Sequence, residues 1–302
     1  MHNHAHGHQH QDDTTAFAWV TLINLAYTMV EAGYGFWTGS LALLSDALHN
    51  LGDVMGLALA WAAAAVAKHS PTARHTYGWR RATLLSPLAN ALLLVSFSGV
   101  LAWEAIGRFN ALPDIPAMPV IVIAAIGIAV NLGAAMLVRS GHEHNLNRRG
   151  AFLHLMADAA VSLAAVLAGI GILTLDWQWL DPAIALLVGV VVAVGAFALL
   201  RDSFDAAMDA VPRNIQLHEV EAFLAAQPDV RAVHHVHLWS LGTGEIAMTA
   251  HLIRPRSDDH DAFLDRLNRE LDERFGINHP TLQIEHGSAC DHDRHDRAPH
   301  AH

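Results

Sequence analysis

Hydrophobic and polar positions divide the chain into two unlike parts. Up to Leu200 long apolar runs are separated by short polar breaks, and beyond Arg201 apolar residues recur with the shorter periods of soluble structure. A bilayer core about 30 Å thick takes roughly 20 apolar residues of helix. Six segments have that length, at residues 16–37, 41–67, 82–103, 118–138, 151–175 and 180–200. Only Thr38-Gly39-Ser40 separates the first two, while Asp176 and Pro182 punctuate the gap between the last two. Glycine and other small residues recur inside these runs, as close helix packing in lipid requires.

The remainder reads as alternating helix and strand. Residues 214–227 form an amphipathic helix, 230–241 alternate as a strand, and Gly242-Thr243-Gly244 is a turn into a second strand at 245–253. A second helix spans 258–275, with Phe263, Leu264, Leu267 and Leu271 at helical spacing, and a short strand follows at 281–285. The order α-β-β-α-β predicts a small open-faced α+β domain. Alone it would be marginally stable, and dimerisation would help it. The expected organisation is a His-rich disordered tail (1–14), a six-helix membrane domain (15–204), a soluble domain (205–287) and a second His-rich disordered tail (288–302).

Composition agrees with this division. Of 302 residues 53% are hydrophobic and 16% charged, against about a quarter charged in soluble domains. The net charge of -11 argues against nonspecific nucleic-acid binding. Cys290, the single cysteine, excludes an internal disulfide or a thiolate-rich zinc site. The N-terminus lacks the basic and apolar regions of a cleavable signal peptide. Basic residues in short loops set orientation. Lys68, Arg74, Arg80 and Arg81 follow the second span and Arg139, Arg148 and Arg149 the fourth; the opposite loops hold Arg108 alone. Both basic loops, and with an even number of spans both termini, are expected in the cytoplasm.

The 23 histidines are the compositional anomaly, and histidine is the commonest metal ligand. Ionisable residues inside spans usually face a pathway or a partner. In SDALHNLGDVMG of the second span His49 and Asp53 share a helical face, and in AFLHLMADAAVS of the fifth His154 and Asp158 repeat the spacing. Each pair read alone is better explained by a local hydrogen bond that holds its helix. Two pairs on separate spans point instead to one tetrahedral site with nitrogen and oxygen ligands, as zinc prefers. Two carboxylates neutralise a divalent ion, and both residue types lose metal when protonated, so metal and protons compete for the same groups. Asp46 and Glu31 are weaker candidates, the one second to the ligands or facing water, the other a helix-packing polar group. Neither is assigned as a ligand.

The stretches TGSLALLSDALHNLGD, RHTYGW, HLMAD, VHHVHLW and HPTLQIE together resemble the cation diffusion facilitator family, in its bacterial zinc-efflux branch. The resemblance covers most of the chain. It implies a homodimer of six-helix protomers with a cytoplasmic ferredoxin-like domain in the bacterial inner membrane, exchanging zinc for protons by alternating access. The family's transport site matches His49, Asp53, His154 and Asp158. Members with Asp at the first of these accept a wider set of metals, so His49 implies zinc, with cadmium, cobalt or nickel as lesser substrates.

Two further sites follow from the resemblance. His75 matches a ligand in the loop KHSPTARHTYGW, but Thr72 and Trp79 stand where some members have ligands, and His69 is unmatched. In the soluble domain His234, His251 and His260 match ligand positions, and Glu285 or His286 falls where a further ligand can stand. Such a site would bind a regulatory zinc and tighten the dimer. Strand alternation places His235 and His237 on the face opposite His234, and these two and His279 read more readily as exposed polar residues. The tail histidines, including His2 to His10 and His292 to His302, are expected to capture metal weakly.

Other functions fit less well. An intramembrane metalloprotease would carry HExxH and an open metal position, and an ATP-driven pump a P-loop; neither motif is present. No enzymatic activity is expected. A metal sensor that signals through the soluble domain without transport is the remaining alternative, and it would tolerate loss of the site within the membrane.

Overall fold

The computed structural model describes residues 7–139, 146–255 and 259–287. The tails at 1–6 and 288–302 lie outside the described residues. Two compact units emerge. One comprises Met1–Leu59 with Ala89–Leu199, the other Ala60–Leu88 with Leu200–His302.

The first unit is built from α1 (Gly7–Thr38), α2 (Leu41–Ala67), α3 (Ala82–Arg108), α4 (Ala117–Arg139), α5 (Leu146–Leu175) and α6 (Leu180–Ala207), the ends of α2, α3 and α6 running into the second unit. Among the described residues five helices, α2 to α6, are long and apolar enough to cross a membrane. The first of the six expected spans is the apolar stretch of α1, which extends back to Gly7, beyond the tail boundary expected at residue 14. Once a helix is nucleated, adding residues costs little, so a polar flank can continue an apolar helix. Large side chains on the outer faces, such as Trp61, Trp103 and Phe197, are exposed. That inversion is what a lipid solvent allows, because only the backbone must satisfy its own hydrogen bonds there.

The first unit also encloses polar groups. Thr28, Glu31, Asp46, Asn50, Asn131, Asp158, Ser162 and Asp181 are all buried. Glycines set the spacing of α2 and α3. A Cβ at Gly52 would fall 2.3 Å from Leu94 Cδ2, and one at Gly56 would fall 2.7 Å from Asn90 Nδ2. Alpha-3 therefore lies close against the α2 turns on either side of Asp53.

The second unit contains α7 (Leu217–Ala225), β1 (Ala232–Gly242), β2 (Glu245–Ile253), α8 (His260–Phe275) and β3 (His279–Glu285). The element order is the expected one, with boundaries moved by a few residues. The sheet order is β1-β2-β3, β1 pairing antiparallel and β3 parallel with β2. Leu238, Met248, Ala250 and Leu252 pack against Val220 and Leu224 of α7 and Phe263, Leu267 and Leu271 of α8. Strand alternation then turns His251, between Ala250 and Leu252, to the other face. Alpha-8 ends where Gly276 adopts φ 69°, a left-handed cap that glycine takes without cost.

Beta-1 does not alternate throughout. Its register slips between His234 and His237, and His235 has φ 52°. This is a β-bulge, which re-aims a side chain that alternation would have sent elsewhere.

Candidate metal centres

His49 and Asp53 occupy successive turns of α2, and His154 and Asp158 successive turns of α5. The structure brings the two pairs together. His154 Nε2 lies 3.1 Å from Asp53 Oδ2 and 3.7 Å from Asp158 Oδ2. His49 Nε2 lies 3.7 Å from Asp158 Oδ1 and 3.9 Å from Asp53 Oδ2. The contacts between helices are as short as, or shorter than, those within each helix. A purely local role for each pair would give the opposite order. The imidazole rings meet edge to face, with centroids 5.9 Å apart. One donor atom from each of His49, Asp53 and His154 falls within 4.8 Å of the others.

Burial is uneven across the four. The Asp158 side chain is 1% exposed and that of His154 47%. Both Asp158 oxygens are buried without a hydrogen-bond donor, so its carboxylate has free capacity for a cation or a proton. A cavity of about 510 Å³ reaches His49, Asp53 and Asp158, with Asn90 of α3 and a mostly apolar wall from α5 and α6. Two imidazoles and two carboxylates around one centre could hold a divalent transition metal.

A second cluster lies in the sheet. His234 and His251 are cross-strand partners, and β3 runs on the other side of β2. His234 Nε2 is 3.2 Å from Glu285 Oε2, and His251 Nδ1 is 2.9 Å from Glu285 Oε1. The bulge adds His235, whose Nδ1 lies 2.7 Å from Nδ1 of His234. Ring centroids of His235 and His251 are 5.0 Å apart. His234, His235 and His251 each offer a donor atom within 4.8 Å of the others. Three imidazoles and a carboxylate could hold a transition metal.

The remaining residues singled out in the sequence fall elsewhere. His260 and His286 stack on each other with centroids 4.9 Å apart. The guanidinium of Arg254 stands 3.3 Å from His260 Nδ1, and the Arg254 carbonyl 3.2 Å from His286 Nδ1. A buried cation beside these rings opposes a second one, and among the described residues neither His260 nor His286 belongs to the group that His234, His235 and His251 form. His75 stacks on Trp79 at 4.4 Å, and its backbone N–H bonds the Thr72 hydroxyl. Among the described residues no group of three metal-binding side chains includes His75. His279 lies 3.2 Å from Arg80, and His237 is exposed.

The family profile described as the cation efflux transmembrane domain matches residues 18–206, and that described as the cation efflux protein cytoplasmic domain matches residues 212–287. The chain belongs to the cation efflux family. It is a multi-pass membrane transporter with a C-terminal domain of the cation efflux cytoplasmic type. Zinc transporter ZitB of Pectobacterium atrosepticum is 35% identical over 97% of this chain and 91% of its own length. The metal cation efflux system protein CzcD of Cupriavidus metallidurans is 34% identical over 86% of this chain and 82% of its own. The cadmium, cobalt and zinc/H(+)-K(+) antiporter of Bacillus velezensis is 32% identical over 97% and 93%. Within this cation efflux protein, His235 is the residue that strand periodicity misplaced. The signal in the sequence was the His234-His235 doublet itself, since adjacent histidines can reach one centre only where a strand breaks its alternation.

Proposed function

We propose that the protein exports Zn2+ from the cytoplasm in exchange for protons, through the centre formed by His49, Asp53, His154 and Asp158. The observation that carries this reading is the convergence of two His–Asp pairs from α2 and α5, with the shortest contact between helices. Two carboxylates balance the dication, and two imidazoles supply the nitrogen donors that zinc favours. Zinc binding requires all four groups free of protons at their donor atoms. Zinc affinity therefore falls as pH falls, because protons hold the ligands. A site opened to the acidic side of a membrane loses zinc and gains protons; opened to the neutral side, it does the reverse. An inward proton gradient then drives zinc outward.

The same reading places the protein in the bacterial inner membrane as a homodimer of six-span protomers, α1 supplying the sixth span, with both termini cytoplasmic. The excess of basic residues in the two expected cytoplasmic loops supports the orientation. The C-terminal domain is read as a ferredoxin-like unit that joins protomers and holds a regulatory zinc on His234, His235, His251 and Glu285. Cadmium, cobalt and nickel are lesser substrates.

The deciding experiment reconstitutes the purified chain in vesicles and follows zinc flux under an imposed pH gradient. Flux should reverse with the gradient; flux that ignores its direction rules out exchange.

Metal choice rests on His49. Asp at this position can bind through both carboxylate oxygens, which opens the four-coordinate geometry that zinc favours and admits a larger ion. His49→Asp should raise cadmium flux relative to zinc by about tenfold, equivalent to a shift of about 1.4 kcal/mol. Competition between the two metals in the same vesicles measures the ratio, and an unchanged ratio removes the basis for zinc.

The regulatory site has its own test. Loss of an outer-shell partner costs metal affinity about 10 to 100-fold, and loss of a ligand costs more. In the full-length chain His235→Ala should weaken one zinc site by more than about 100-fold, while His237→Ala leaves it unchanged. Equal effects of the two would return His235 to the exposed face.

A further inference from the structure

Buried polar side chains almost always find a hydrogen-bond partner. Among the described residues of the helical unit, and outside the four proposed ligands, Asn24, Glu31, Asn50, Asn90 and Asn131 each keep a buried side-chain oxygen without one. Asn90 differs from the others by its place. It lines the cavity of about 510 Å³ that His49, Asp53 and Asp158 also line, and none of the other four does. Apart from those three residues, Asn90 is the one polar side chain on the wall. The rest is alanine, valine, leucine and glycine from α3, α5 and α6.

Alpha-2 gives the Asn90 carboxamide its seat. A Cβ on Gly56 would fall 2.7 Å from Asn90 Nδ2 and 3.1 Å from its Cγ, so the amide rests on the α2 backbone where glycine leaves room for it. Gly56 follows Asp53 by three residues, a rise of about 4.5 Å along the helix axis, on the side toward Ala67. Zinc–oxygen bonds are about 2 Å long. An offset of a full turn therefore suits one water between the carboxamide and an ion held at Asp53, rather than a direct bond.

A dication entering from water carries bound waters, and the ion makes each of them a stronger hydrogen-bond donor. Inside an apolar wall a donor without an acceptor is costly. Asn90 Oδ1 is an acceptor with no protein donor to compete for it. Being neutral, it also leaves the balance of two carboxylates against one dication undisturbed. We propose that Asn90 is a positioning residue for the transported ion, its carboxamide oxygen accepting a hydrogen bond from a water that zinc carries into the site. The inference rests on the reading of the four-residue centre as the zinc transport site and extends that reading to the hydrated ion. With no metal bound, the same unpartnered oxygen lowers stability, so binding and stability pull Asn90 in opposite directions. That opposition separates this role from one of packing α3 against α2.

The test measures zinc affinity of the full-length chain by competition with a chelating dye, at the site that Asp158→Ala removes, and the thermal transition of the same protein without zinc. Asn90→Leu keeps a similar volume but has no acceptor. Zinc binding should weaken by about 10 to 100-fold, as it does when a metal site loses an outer partner, while the metal-free transition holds or rises. Asn90→Asp keeps an oxygen and should bind zinc at least as tightly as the native chain. Unchanged affinity in Asn90→Leu overturns the proposal. So does weaker binding accompanied by a lower metal-free transition, or a loss in Asn90→Asp as large as that in Asn90→Leu. Gly56→Ala asks the same question without touching Asn90, because its methyl lands on the carboxamide. It should cost about tenfold in zinc affinity in the native background, and less than about twofold in Asn90→Ala; equal losses in both backgrounds would mean that Gly56 and Asn90 act independently, against the proposal. Failure of the transport reading looks different, since zinc flux through the native chain would then ignore the pH gradient whatever the Asn90 variants bind.

Discussion

Asp158→Ala should abolish proton-driven zinc flux, lowering it by at least about 100-fold, and Asp158→Asn should do nearly the same. With one of two carboxylates gone, a loaded site carries an uncompensated positive charge in a buried setting, where breaking such a pairing costs about 3–5 kcal/mol. Each 1.4 kcal/mol is about a factor of ten in affinity, so the loss in binding alone exceeds about 100-fold. Asp158 is the most enclosed of the four proposed ligands, and its oxygens lie 3.7 Å from both His49 and His154, so no water readily replaces it. The asparagine variant separates charge from shape. It keeps the volume and one oxygen but cannot neutralise the ion. Flux in vesicles and zinc affinity by competition with a chelating dye give the two readouts; flux in either variant above about a tenth of native would mean that this centre is not the path of the ion.

The four residues of the proposed site stood out in the sequence because helical spacing places residues four apart on one face, and lipid makes an idle ionisable residue costly there. Their convergence was not legible, since it depends on α2 and α5 packing side by side. The membrane helices were equally open to reading from apolar length, while the start of α1 was not, because helix can propagate into polar sequence. The sheet cluster failed differently. Alternation is a rule about regular strands, and the slip between His234 and His237 turned His235 into the cluster. His260 and His286 depended on where one arginine side chain would settle. Arg254 is almost fully buried, stacked at 4.2 Å on Phe263 and paired with Asp259, and nothing in a hydrophobic pattern announces that position.

Asp181, at the start of α6, anchors the helix that carries half of the proposed transport site. From the first turn of α6 its carboxylate accepts bonds from the Ser40 hydroxyl at 2.5 Å and from the backbone N–H groups of Leu41 at 2.8 Å and Ala42 at 3.2 Å. Ser40 in turn accepts the N–H of Leu43 at 3.3 Å. The unpaired donors at the start of α2 are thus met by one buried carboxylate and one hydroxyl, a negative charge at the positive end of the helix dipole. Arg108 bonds the Gly39 carbonyl and lies 3.9 Å from the same carboxylate. Asp181→Ala would strand two buried N–H groups and the Ser40 hydroxyl, each costing about 1–3 kcal/mol, while Arg108 keeps Glu104 and the Gly39 carbonyl. Asp181→Asn retains an acceptor and should cost less, about 1–3 kcal/mol. The drop should appear as a lower thermal transition of the detergent-solubilised protein, larger for alanine than for asparagine. Zinc affinity should fall with it although Asp181 touches no ligand, because α2 is pinned nine residues before His49, a span of about 13 Å along a rigid helix. A variant that melts early yet binds zinc as tightly as the native chain would show that α2 holds its position by packing alone, with the glycine contacts to α3 as its anchor.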